Sequence, residues 1–133
     1  MNITITGNVG QDPELRFTAG GEPVCSFSVA ENRRWISRDG EDREVTTWWP
    51  INVWGEQGEQ CAESLSKGDR VIVIGRCEDR HWENDEGEDR SRKEVTAWEV
   101  APSLRWATAV VTRAEKKGKR DDPPPPDYEE EPF

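Results

Sequence analysis

Thr46 to Gly55, TTWWPINVWG, sets three tryptophans in one strand-length run, and nothing else in the chain restricts its folding as much. In an extended backbone successive side chains alternate between two faces. Val45, Trp49, Ile51 and Val53 then share a face suited to a core, and Trp48, Pro50, Asn52 and Trp54 share the other. Two outcomes are open for that second face. Either it stays wet and offers Trp48 and Trp54 to something flat, or it is also buried, as in a barrel strand covered by a helix or another subunit. Pro50 has no amide to donate, so an open edge or a bulge is expected there.

The same alternation recurs along the chain. Ile3, Ile5, Gly7 and Val9 face one way and Asn2, Thr4, Thr6 and Asn8 the other, which predicts a half-buried first strand. Pro13 interrupts it, Leu15 to Phe17 resumes briefly, and Ala19 to Pro23 turns. From Val24 a strand buries Cys25, Phe27 and Val29 and runs out as an arm bearing Arg33, Arg34 and Trp35, before Asp39-Gly40 turns the chain back. Glu56 to Ser66 is the one convincing helix, with Cys61, Ala62 and Leu65 as its apolar stripe and Lys67-Gly68 closing it. Val71 to Ile74 is β-branched on both faces and predicts a central strand, with Gly75 allowing a sharp bend. Arg76, Glu78, Arg80 and Trp82 share one parity on a second arm, whose acidic loop runs from Glu83 to Asp89. Val95 to Val100 is a further strand ended by Pro102, and Leu104 to Val111 reads as a last short one, with Trp106 at an interface.

Five or six short strands, one short helix between the third and fourth long strands and two hairpin arms predict an all-β fold, an OB-fold Greek-key barrel. Residues 1–112 form the expected domain, and 113–133 a disordered linker and acidic tail, since four consecutive prolines among charges cannot build a core. The three cysteines have no zinc spacing and read as buried reduced thiols. No nucleophile with its base, metal cluster or cofactor motif stands out, so an enzyme is not expected. The acidic runs read as solvated loops. No apolar stretch approaches a membrane span.

Charge bears directly on the partner. The net charge is −10, and of the chain's 18 basic and 28 acidic residues only four and seven follow residue 113, so the domain is itself acidic. A polyanion would need a local arginine-lined track and would lean on stacking.

GNVGQDPELRF, TTWWPINVWG, LSKGDRVIVIGR and the acidic end in Pro-Phe together resemble the bacterial or phage-type single-stranded DNA-binding proteins of the OB-fold family, and PSLRWATAVV resembles their actinobacterial branch. The resemblance implies that Trp35, Trp48, Trp54 and Trp82 stack on bases and that Arg33, Arg34, Arg76 and Arg80 contact the backbone. It implies a homotetramer paired through the first strand, with the segment after Pro102 adding a strand that clamps subunits. It implies sequence-independent binding and protection of single-stranded DNA in replication, recombination and repair, in the cytoplasm with the nucleoid, or in the host cytoplasm for a phage-encoded copy. The tail tip, Glu129, Glu130, Glu131, Pro132 and Phe133, would recruit replication and repair proteins. Here Trp49 stands where the family commonly has histidine, Trp54 where it has phenylalanine, and Glu131 where it has an aliphatic residue. A second reading, kept by the acidic charge, is an OB-fold assembly adaptor with little DNA affinity.

Overall fold

The computed structural model describes residues 1–114. Its elements are β1 (Asn2–Val9), β2 (Glu14–Phe17), β3 (Pro23–Ile36), β4 (Asp42–Trp54), α1 (Glu56–Ser64), β5 (Arg70–Glu83) and β6 (Asp89–Pro102). Strand neighbours run β1-β5-β6-β4-β3-β2, and a further β1–β3 pairing closes five of them into a barrel, with β2 outside along β3. The pairings are antiparallel except β4–β6, which is parallel at Ile51↔Val95 and Asn52↔Thr96. With α1 between the third and fourth long strands, this is the expected OB-fold barrel.

Alternation decides the interior. Ile5, Val9, Cys25, Phe27, Val29, Ile51, Val53, Val71, Val73 and Val95 fill the barrel, and Cys61 of α1 packs against them together with Leu65, the residue just after the helix. Each such aliphatic side chain taken out of water contributes about 1.5 to 3 kcal/mol before entropy is counted. The three cysteines are free and buried, as expected. Pro50 faces Ser28 of β3, while β6 takes up pairing only from Ile51, so the proline stands where one edge of β4 opens.

Gly75 marks the expected bend. Ile74 pairs with Glu99 but Gly75 with Ala97, which leaves Trp98 as the extra residue of a bulge. A β-carbon on Gly75 would lie 2.2 Å from the Thr96 carbonyl oxygen, so the strands approach too closely there for any larger residue.

Four expectations need correction. α1 ends at Ser64, not Ser66, because Leu65 is already extended and its amide closes on the Cys61 carbonyl. Gly68 caps no helix; its amide donates to the Val9 carbonyl at 2.7 Å and ties the following turn to the end of β1. Val45 has the parity of the core but is exposed, since β4 has there left the barrel for the arm. Leu104 to Val111 forms no strand. Its apolar residues Leu104, Trp106, Val110 and Val111 are exposed, and β6, the preceding strand, already pairs with β5 and β4. Trp106 lies under the guanidiniums of Arg70 and Arg105, 4.6 and 4.9 Å from its ring centroid.

Candidate nucleic-acid interface

The arms are the outer halves of two long hairpins. β3 and β4 stay paired out to Ile36↔Asp42, well beyond the last buried pair, and the Asp39-Gly40 turn closes through Ser37, whose amide donates to the Glu41 carbonyl at 2.9 Å. The Asp39 carboxyl is held below its ordinary pKa by the Ser37 hydroxyl that donates to it. β5 and β6 pair out to Glu83↔Asp89 around a turn in which Asn84 accepts the amides of Glu86 and Glu88.

Register assigns the faces. Ala30↔Trp48, Asn32↔Thr46 and Arg34↔Glu44 continue the outer face that begins at Val24↔Trp54. Trp48 and Trp54 are 58% and 42% exposed, whereas Trp49 is half-buried, packs on the core and donates Nε1–H to Glu31 at 3.4 Å. Within the single chain both outward indoles are open to water. Six residues of strand separate the two outward indoles by roughly 20 Å, and polar pairs stitch the face around them: Ser26 Oγ donates to Asn52 Oδ1 at 2.8 Å and Thr46 Oγ1 to Asn32 Oδ1 at 2.7 Å.

Trp35 (46% exposed) and Arg33 have the opposite parity and lie on the other side of the β3–β4 arm, opposite Arg43 and Val45. Arg33 and Arg34, adjacent in sequence, thus point to opposite sides of one ribbon. On the second arm Arg76, Glu78, Arg80 and Trp82 do share a face, and their cross-strand partners Thr96, Glu94, Arg92 and Arg90 add two arginines that the sequence reading left out. Trp82 is 43% exposed. The signal that could have found Arg90 and Arg92 is the hairpin register, which depends on loop length and on where pairing begins.

Electrostatics are more balanced than the arginines alone suggest. Arg34 lies 3.9 Å from Glu44, Arg76 3.0 Å from Glu78, Arg80 3.5 Å from Glu94 and Arg90 2.8 Å from Glu88. The Arg34, Arg76 and Arg90 pairs are exposed on both sides and worth only a few tenths of a kcal/mol each, so an arriving anion can displace those carboxylates at small cost, whereas the Glu94 side chain is only 14% exposed. The surface offers flat apolar faces flanked by exchangeable cations. Among the described residues no group of three or more His, Cys, Asp or Glu could hold a metal ion, and no helix is long and apolar enough to cross a membrane. The tail tip, Glu129 to Phe133, lies outside the described residues.

The chain is similar to known proteins. Residues 1–103 match the model of the single-strand binding protein family. The single-stranded DNA-binding protein of Mycolicibacterium smegmatis is 46% identical over 118 residues, 87% of this chain and 72% of that protein. That of Corynebacterium glutamicum is 48% identical over 123 residues, 88% of this chain but 53% of the relative, so the chain spans about half its length. Among solved structures, the Plasmodium falciparum SSB complex with ssDNA superposes with a TM-score of 0.72 at 27% identity, covering 77% of this chain and 93% of that one. The small single-stranded DNA-binding protein from Streptomyces coelicolor gives 0.66 at 26% identity over 78% of this chain and 94% of the other.

Proposed function

Because the chain belongs to the single-strand binding protein family, we propose that it binds single-stranded DNA without regard to sequence and protects it, without catalysing a reaction. The observation that carries this reading is the exposure of Trp35, Trp48, Trp54 and Trp82 on one barrel and its two arms. An indole is costly to leave in water, and a base stacked on it is worth about 1 to 3 kcal/mol by alanine substitution. Arg33 would contact phosphates, and Arg34, Arg76 and Arg80 would exchange their carboxylate partners for them. Titration with oligo(dT) tests this: tryptophan emission is quenched at low salt, and an unchanged spectrum would end the proposal.

The biological setting is part of the same proposal. Residues 1–112 form the binding domain and 113–133 a tail whose tip, Glu129 to Phe133, recruits replication and repair proteins through its acidic charge and terminal phenylalanine. The assembly is a homotetramer acting in replication, recombination and repair in the cytoplasm. Light scattering with and without oligo(dT) measures the assembly and its occupancy together.

One observation favours a second reading, an assembly adaptor with little DNA affinity: the chain carries a net charge of −10, and Arg34, Arg76 and Arg80 each already meet a carboxylate. A gel shift against single strands separates the two.

A further inference from the structure

Among the described residues β2 pairs with β3 alone, and register shows which of its backbone groups that pairing leaves over. The Thr18 amide donates to the Glu22 carbonyl at 2.9 Å, so alternation along the antiparallel ladder gives Arg16 and Glu14 the bonds to Val24 and Ser26. Leu15 and Phe17, opposite Cys25 and Pro23, then turn their amides and carbonyls away from β3. Pro23 fits this assignment, since it has no amide to give Phe17. Every residue of β2 is exposed, so the leftover groups face solvent in the single chain.

Proteins commonly blunt such an edge by keeping it short and charged. β2 is short, but its charges do not repel a second β2. Laid antiparallel with Leu15 on the twofold axis, two copies set Glu14 of each opposite Arg16 of the other. The free backbone groups suit the same register: Leu15 exchanges amide and carbonyl bonds with its counterpart, and each Phe17 amide reaches the Pro13 carbonyl of the other copy. Glu14 and Arg16 then occupy the non-hydrogen-bonded positions, where opposed side chains stand closest. Leu15 and Phe17, 36% and 60% exposed, share the other face of both strands. The neighbouring twofold registers, centred on Glu14 or on Arg16, put like charges opposite each other and are disfavoured.

We propose that the free edge of β2 is an interface for β2 of a second copy of this chain, paired antiparallel about Leu15 with register fixed by Glu14 and Arg16. The contact is isologous and leaves β1 untouched, so it is distinct from an assembly paired through the first strand. It joins β4-β3-β2 of one copy to β2-β3-β4 of the next as one continuous sheet. A strand of 4 residues buries little surface, so the association is reversible. It does not depend on the single-strand reading.

Disulfide trapping in the full chain tests it. Directly opposed hydrogen-bonded residues have Cα atoms about 5.5 Å apart, within disulfide reach, and the native thiols are buried. Leu15→Cys oxidised with diamide at low salt is expected to give a covalent dimer on a non-reducing gel. Phe17→Cys is expected to do so several-fold more slowly, because the two copies of that residue lie roughly 14 Å apart along the strands. Adding Glu14→Lys to Leu15→Cys puts a cation opposite Arg16 and slows trapping about tenfold. Adding Arg16→Glu as well restores the Leu15→Cys rate, at the net charge of the wild type. All the substituted side chains are exposed, so the barrel stays folded. Equal rates for Leu15→Cys and Phe17→Cys, or no slowing by Glu14→Lys, would overturn the interface. Slowing that the double exchange does not restore would overturn the Glu14–Arg16 register.

Discussion

The outer ring of Trp48 lies against Gly10: a β-carbon on that glycine would stand 2.4 Å from Trp48 Cζ3. Gly10 is itself fixed, its amide donating to the Ser28 carbonyl at 2.9 Å, so the link between β1 and β2 is the bed on which the indole rests. Gly10→Ala meets the tip of an exposed side chain and not backbone, and the ring can move. The expected result is a stability change within about 1 kcal/mol, a shifted tryptophan emission maximum and weaker oligo(dT) binding, measured by melting and fluorescence titration.

Gly58→Ala makes the opposite case. There the new β-carbon would lie 2.3 Å from the Val53 carbonyl oxygen, and neither α1 nor β4 can yield without disturbing the core. A loss of about 1 to 3 kcal/mol is expected from urea unfolding, with the arms and their binding unchanged in the folded fraction.

Trp48→Ala and Trp49→Ala should divide function from stability. Removing the exposed Trp48 costs about 1 to 3 kcal/mol of single-strand affinity and little stability. Removing Trp49, which packs on the core and donates to Glu31, costs about 2 kcal/mol or more of stability. Parallel urea melts and titrations read both, and a Trp48→Ala variant that unfolds would place that side chain in the core.

How far the sequence carried this picture depends on what each residue answers to. Strand existence, the barrel and the outward aim of Trp48 and Trp54 were legible because period-two alternation is local and the β-branched runs are strong. The helix end at Leu65 was not, because the chain leaves α1 to bond back to Val9, a contact between distant segments. Leu104 to Val111 has the composition of a strand but pairs with none, and composition cannot supply a neighbour. The candidate site divided the same way: Trp82 and Arg80 follow from parity on one strand, while Arg92 and Glu94 follow only from the pairing of two.

Stability should also fall at high pH. Burial pushes the Cys25 thiol from its ordinary value of 9.0 up to about 11, and burial, with the neighbouring Cys25 adding to it, pushes Cys61 up to about 12. A thiol whose pKa is higher when folded binds more protons in the folded chain than in the unfolded one. The stabilisation is complete below about pH 9 and is lost as pH rises through the folded values. Denaturant midpoints should be flat between pH 7 and 8.5 and decline from about pH 9 to 11, and a Cys61→Ala variant should decline less. The same burial keeps both thiols unreactive toward a disulfide reagent until the chain unfolds.

The two seams that close the barrel are narrow. β1–β3 and β4–β6 join through two residue pairs each, whereas each long hairpin has thirteen. Since Ile51 must wait for Val95, the parallel seam cannot form on the ribosome until nearly the whole domain has emerged, although the β3–β4 hairpin is complete long before. A nascent or truncated chain ending ahead of Val95 carries β4 with a free edge and an uncovered Ile51 and Val53, a template for pairing with a second chain.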